Sequence, residues 1–171
     1  KDFQNLQSDL ELWERTLGAL IISEYRRNLF ADCGQNIKPV VLMKSMRIAD
    51  SEAFYNQFFE RLNSLSPEEI ISLKSPSNIY LSTAIDYFLE KDKSLVVLVY
   101  ALKLAFAKEN SIIMNGSTDN TVDKQLAVNS LEEPSNPYRI IFTVDMLNEG
   151  WDVLNLFDIV RLYETRQSGK G

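Results

Sequence analysis

Histidine is absent from the chain, and cysteine occurs once, at Cys33. Without histidine, a zinc site of the usual ligand set and a His-based catalytic triad are both excluded. One thiol also rules out an internal disulfide framework. Positive charge is in deficit, with 18 Lys+Arg against 24 Asp+Glu and a formal net charge of −6. Strong, sequence-indifferent DNA binding is mostly phosphate neutralisation, so it is not expected of this surface as a whole; a local basic edge remains compatible with the balance. No apolar run is long enough to span a bilayer. The longest, Leu95–Ala107 (LVVLVYALKLAFA), contains Lys103 and reads as a buried helix or a strand–helix segment. The start, KDFQNLQSDLELWER, is polar and acidic, unlike a secretory signal. A single buried or half-buried thiol and no export signal point to a reducing cytoplasm and no membrane association.

What is present is the composition of an ordinary globular domain, 45% apolar and 25% charged over 171 residues. Residues 1–35 read as an N-terminal helix and linker. Leu10, Trp13, Leu17, Leu20, Ile21 and Tyr25 recur every three or four positions and share one face. Ser8 and Glu11 fit a capping box at its start, and Arg26-Arg27 suit the negative end of its dipole. Beyond Gly34, short apolar runs alternate with helical stretches. Pro39–Met43 reads as a strand buried on both faces; Ser111–Met114 is another short apolar run, Arg139–Val144 reads as a buried strand and Phe157–Glu164 as a further strand. A helix carrying Phe54, Phe58, Leu62 and Leu65 follows the first of them. Ser66-Pro67-Glu68-Glu69 opens another, with an N-cap serine and proline at the first helical position. Tyr80–Leu89 and Leu95–Lys108 read as two more, making 66–108 a helical insert, and 121–131 suits a further helix. The alternation predicts an α/β parallel sheet flanked by helices over 36–171.

The usual catalytic signatures are missing. The chain has no G-x-x-x-x-G-K-[ST] loop and no G-x-S-x-G elbow. Glu68-Glu69 and Glu132-Glu133 read as helix-end and solvated charges, and Cys33 has no histidine to activate it. One stretch stands apart. Between two buried strands, RIIFTVDMLNEGWDVLNLFDIVRLY (139–163) places a polar strand end, a glycine turn and acidic residues. Ligands in open α/β sheets bind at the carboxyl ends of strands, where Thr143, Asp145, Glu149, Gly150 and Asp152 would stand. A threonine hydroxyl there can bind a phosphate oxygen, Gly150 lets backbone approach a ligand, and Asp152 can accept from a sugar hydroxyl. The same residues also fit a plain turn capped by Asp145 and Asp152, with Trp151 in the core.

TVDMLNEGWDV resembles motif V of superfamily 2 helicases, the T-D-x-x-x-x-G-x-D stretch of their second RecA-like domain. The longer string NPYRIIFTVDMLNEGWDVLNLFDIVRLYE is similar to the Res subunit of type III restriction enzymes and related DEAD/DEAH-type helicases, with Trp151 favouring that branch. KPVVLMKS (38–45) resembles motif IV, and SIIMNG resembles the strand and turn that precede motif V. The resemblance implies a RecA-like helicase C-terminal domain within an ATP-dependent helicase or translocase. It implies that Thr143 touches a strand phosphate, that Gly150 and Asp152, with Glu149, face the nucleotide, and that Lys44, Ser45 and Arg47 approach the nucleic-acid backbone. ATP and Mg2+ are its expected cofactors. Its expected partners are double-stranded DNA, a first RecA-like domain and a methyltransferase (Mod) subunit.

The departures define what this stretch is expected to lack. Neither the phosphate-binding loop nor the acidic Mg2+ box occurs, no Q-x-x-G-R-x-x-R motif follows RLYE, and no P-D…D/E-x-K nuclease pattern is visible. The chain is therefore expected to be a fragment of a larger translocase, inactive alone because phosphoryl transfer needs both halves of the cleft and Mg2+ ligands not found here. Two other readings stand beside it: a non-catalytic RecA-like interaction module docking a partner through 66–108, and a DNA-repair or RNA helicase unrelated to restriction.

Overall fold

The structure is a computed structural model and describes residues 3–116, 121–144 and 153–163. Four strands form one wholly parallel sheet: β1 (Val40–Ser45), β2 (Ser111–Met114), β3 (Ile140–Val144) and β4 (Leu156–Arg161), in the spatial order β2-β3-β1-β4. The order places the two most apolar strands, β1 and β3, at the centre. Every one of Val40–Met43 and Ile140–Phe142 is buried, as the continuous apolar runs require of strands covered on both faces. This is the RecA-like α/β arrangement.

Strand alternation sends side chains into two cores. Val41, Met43, Ile140, Phe142 and Val160 face the larger one, covered by α1 (Phe3–Asp32), α2 (Ile48–Asn63), α3 (Pro67–Ile71), α4 (Ile79–Lys91) and α5 (Val96–Ala105). Val40, Leu42, Ile112, Met114 and Ile141 face the smaller one, closed by Val128 of α6 (Val122–Asn129) and by Leu131. Phe142 is the hub of the larger core, with the rings of Tyr55 and Phe58 at 5.1 and 5.3 Å, both edge-on. Helices α3–α5 occupy the stretch read as a helical insert. Ser66 caps α3 by accepting from the Glu69 N–H, although this helix runs only five residues.

Helix α1 is part of the larger core through Trp13, Leu17, Leu20 and Ile21. Three expectations about this segment are corrected. Ser8 does not start the helix, because polar residues from Phe3 onward carry no stop signal and the helix already runs through them. Arg26 and Arg27 do not sit in its last turn; they pair instead with Asp158 at 2.5 Å and Glu24 at 3.4 Å. Cys33 is exposed, because it lies in the turn after α1, where Gly34 takes a left-handed φ of 73° that permits the chain to reverse. Among the described residues no helix is long and apolar enough to cross a membrane.

Candidate nucleic-acid interface

The register of the sheet brings together residues far apart in sequence. Lys44 lies opposite Thr143 on one side and Arg161 on the other, while Met114 pairs with Thr143 from β2. One step further along, Ser45 is opposite Val144. The carboxyl edge therefore gathers Lys44, Ser45, Thr143 and Arg161 into two adjacent rows, with Arg47 just beyond β1. Among the described residues three of these carry positive charge, and one of the three, Arg47, is paired with Asp50.

Helix α2 opens at this edge. Its N-cap, Arg47, has no side-chain capping bond, and the first ladder bond is from the Ser51 N–H to the Arg47 carbonyl at 3.1 Å. The N–H groups before Ser51 have no partner within the helix, and such a terminus attracts anions. Arg47 itself is well exposed and forks onto Asp50, its Nε at 2.8 Å and a terminal nitrogen at 3.4 Å.

The expected phosphate ligand Thr143 is fully buried, and its hydroxyl donates to the Met114 carbonyl at 3.1 Å. Its proton is thus spent on holding β3 to β2. Ser45 is also buried, but its hydroxyl has no hydrogen-bond partner. The same holds for the Ser51 hydroxyl on the sheet-facing side of α2 and for both polar atoms of the Asn115 amide, which is 3% exposed. A buried polar group without a partner costs stability, and Ser45, Ser51 and Asn115 bring several such groups to one edge of the sheet. The β2 turn and the start of α2 touch here: a Cβ on Gly116 would lie 3.3 Å from the Cδ1 of Ile48. Close approach, more than turn flexibility, is what this glycine supplies.

Asn115 and Ser51 are not among the residues singled out in the sequence. Asn115-Gly116 reads there only as a turn, and Ser51 is one polar residue inside a helix; only the sheet register and the burial reveal them. Glu149, Gly150 and Asp152, the expected nucleotide-facing residues, lie outside the described residues, as do Asp145 and Trp151. Among the described residues no group of three or more Asp, Glu or Cys side chains is placed to hold a metal ion. The remaining acidic pairs are structural: Glu69 accepts from the Trp13 indole at 2.6 Å, and Glu132 accepts from the Leu154 N–H.

No protein-family model matches the chain, and no solved structure matches it. Among curated proteins it is similar to the probable type III restriction-modification enzyme HindVIP Res subunit of Haemophilus influenzae, with 34% identity over 189 aligned positions that cover 99% of this chain. The chain spans 37% of the length of that protein. Its likeness is thus to a part of a type III Res subunit, in keeping with the helicase-related RecA-like sheet described above.

Proposed function

We propose that the chain is the second RecA-like half of an ATP-dependent DNA translocase of the type III restriction kind, acting in the cytoplasm. One observation carries the reading. The string resembling motif V begins on β3 at Thr143, in a row of the sheet that also holds Lys44 and, across β1, Arg161. The likeness to a Res subunit along nearly the whole chain supports it.

In this reading the carboxyl edge forms part of the DNA track. Lys44 and Arg47 grip one strand's backbone, with the α2 terminus supplying N–H donors of the kind that suit a phosphate, while Ser45, buried at the end of β1, lies behind them. Thr143 orients the edge through its bond to Met114 and offers the phosphate only an approach, its proton being committed in the free chain. Glu149, Gly150 and Asp152 form this domain's side of the nucleotide cleft, with Asp152 near the ribose. The donor set fits phosphate chemistry: cations and uncapped N–H groups predominate at this edge, and Asp50 is already engaged by Arg47. ATP with Mg2+ supplies the hydrolysis energy when bound, and a first RecA-like domain supplies the metal ligands. Closing and opening of that cleft shifts the grip of the edge along the duplex. A methyltransferase subunit is the expected partner of the whole assembly.

The test is Asp152→Ala in the full-length protein, read by DNA-stimulated ATP hydrolysis. The expected result is at least a tenfold loss of stimulated rate, with duplex binding in the absence of nucleotide changed less than about twofold. An unchanged stimulated rate overturns the assignment.

A further inference from the structure

The opposite edge of the sheet, at the amino ends of the strands, carries a second surface. Lys38 precedes β1, and Arg139 precedes β3. A cavity of about 280 Å3 opens between them, with Glu24 and Arg27 of α1 on one side and Ala101 and Leu104 of α5 on the other. Its lining holds three cations and one carboxylate. That carboxylate is already shared, since Glu24 meets Arg139 at 3.2 Å and Arg27 at 3.4 Å. Among the described residues Lys38 donates to neutral acceptors only, the carbonyl and the side-chain oxygen of Asn136. Burial, and then repulsion from Arg139, lower its pKa to about 8. Arg139 is itself lowered by burial and by Arg27, against the pull of Glu24. The cavity is short of negative charge.

Helix α5 supplies the adjoining surface. Leu98, Val99, Leu102 and Ala105 are buried, as one apolar face of a surface helix should be. The other side is apolar too: Val96, Val97, Tyr100 and Leu104 are between 58% and 69% exposed. A helix apolar all round belongs between two packed layers, and here only one is present. Val97, Tyr100 and Leu104 follow helical spacing along a single stripe, and Leu104 is also in the cavity wall, so stripe and cavity are one continuous surface.

We propose that this surface docks a partner protein through an amphipathic helical segment, whose apolar side chains cover Val97, Tyr100 and Leu104 and whose aspartate or glutamate enters the cavity beside Lys38. Charge complementarity selects the occupant. A carboxylate at that point satisfies the one cation that meets only neutral groups, and the apolar stripe leading to it requires side chains that a nucleic-acid backbone or a small anion does not have. The surface lies at the other end of the strands from Lys44, Ser45 and Thr143, so the partner and the proposed DNA track can be occupied together.

The experiment selects a displayed library of 16-residue helical peptides on the immobilised protein, followed by calorimetry with the enriched peptides. The expected peptides carry Asp or Glu within an apolar face, and they lose at least tenfold in affinity against Lys38→Met and against Tyr100→Asp. Replacing the peptide carboxylate by its amide costs the same factor against the unaltered protein and little against Lys38→Met. Circular dichroism melts verify that both variants fold, and Leu104→Lys serves as a second surface variant. No enrichment, enrichment of peptides without a carboxylate, or affinity indifferent to Lys38→Met overturns the proposal. So does self-association that Tyr100→Asp abolishes, which makes a second copy the occupant. Full displacement of bound peptide by a duplex oligonucleotide at physiological salt would make the site one for nucleic acid and overturns it equally.

Discussion

Glu24→Gln isolates the charge of one buried carboxylate while keeping its shape. In the folded chain the Glu24 and Arg139 side chains are 6% and 5% exposed and 3.2 Å apart. Arg139 also donates through Nε to the Pro39 carbonyl at 2.9 Å and lies over the Phe106 ring at 4.9 Å, so it cannot swing out to water without breaking both contacts. At this separation and an effective dielectric of about 20 the attraction is about 5 kcal/mol. Relief of the carboxylate's own desolvation offsets part of that, and losing one partner of a buried pair typically costs about 3–5 kcal/mol. Glutamine retains an acceptor for the guanidinium, so the lower end, about 3 kcal/mol, is expected. For a domain of this size that corresponds to roughly 6–12 °C in Tm. Urea denaturation at pH 7, followed by the fluorescence of the buried Trp13 and by far-ultraviolet circular dichroism, should show a lower midpoint with an unchanged slope. A second arm makes the reasoning stricter. Adding Lys38→Met to Glu24→Gln should recover about 1 kcal/mol, because the guanidinium then loses a like-charged neighbour. A loss below 1 kcal/mol for Glu24→Gln, or no recovery in the double variant, would show that water or another group already neutralises Arg139.

Lys38 has a folded pKa of about 8 against an ordinary 10.5, so the unfolded chain holds more protons between those values and stability must rise with pH through that window. Below pH 8 the cost is constant; solvent screening of a half-exposed group reduces it to about 1–2 kcal/mol, and Lys38→Met should flatten the pH 8–10.5 rise in Tm. Phe142→Ala should cost about 3–5 kcal/mol, since the ring is fully buried between Tyr55 and Phe58; chemical denaturation measures it, and a cost under 1.5 kcal/mol would mean that the aromatic cluster collapses into the space. Gly34→Ala meets no atom within 4 Å but keeps a φ of 73°, so a loss of about 1 kcal/mol is expected from backbone strain alone. Asn115→Leu should leave the nucleic-acid-free protein as stable or about 1 kcal/mol more stable, because the amide it removes has no partner; a fall of more than 1 kcal/mol in a thermal melt would mean the amide is bonded in solution.

The parts of the fold that could be read in the sequence are those decided by local pattern. VVLM and RIIFTV announce the two central strands because a strand covered on both faces needs every position apolar, whereas SIIM forms an edge strand buried at alternate positions. Ser66-Pro67 announces α3 because both capping chemistry and fixed φ act within four residues. What could not be read depends on long-range placement. Ser8 has the local chemistry of a cap, and nothing within a few residues says that the helix already began at Phe3. Cys33 is hydrophobic enough to expect burial, yet the turn around Gly34 leaves it outside. At the candidate site the places of Lys44, Ser45 and Thr143 at the carboxyl ends of strands could be read, because each closes an apolar run. Asn115 and Ser51 were not, because an unpaired buried amide is a property of three elements meeting and leaves no trace in any one of them.

The two edges of the sheet differ in how many of their buried polar groups are bonded. At the amino edge most of the buried polar groups are committed. Arg139 holds Glu24, Ser23 and Pro39, and the Asn155 Nδ2 donates to the carbonyls of Lys38 and Leu131, although its Oδ1 has no partner. Such bonds tie α1 and the strand starts into one frame. At the carboxyl edge Ser45, Ser51 and Asn115 have hydroxyl and amide groups with no partner at all. Selection for stability alone would replace them with apolar residues of similar size, as the rest of both cores shows is possible. Under the function proposed above, a sheet fastened at one end and left with unpartnered groups at the other holds its shape while taking and releasing a charged strand.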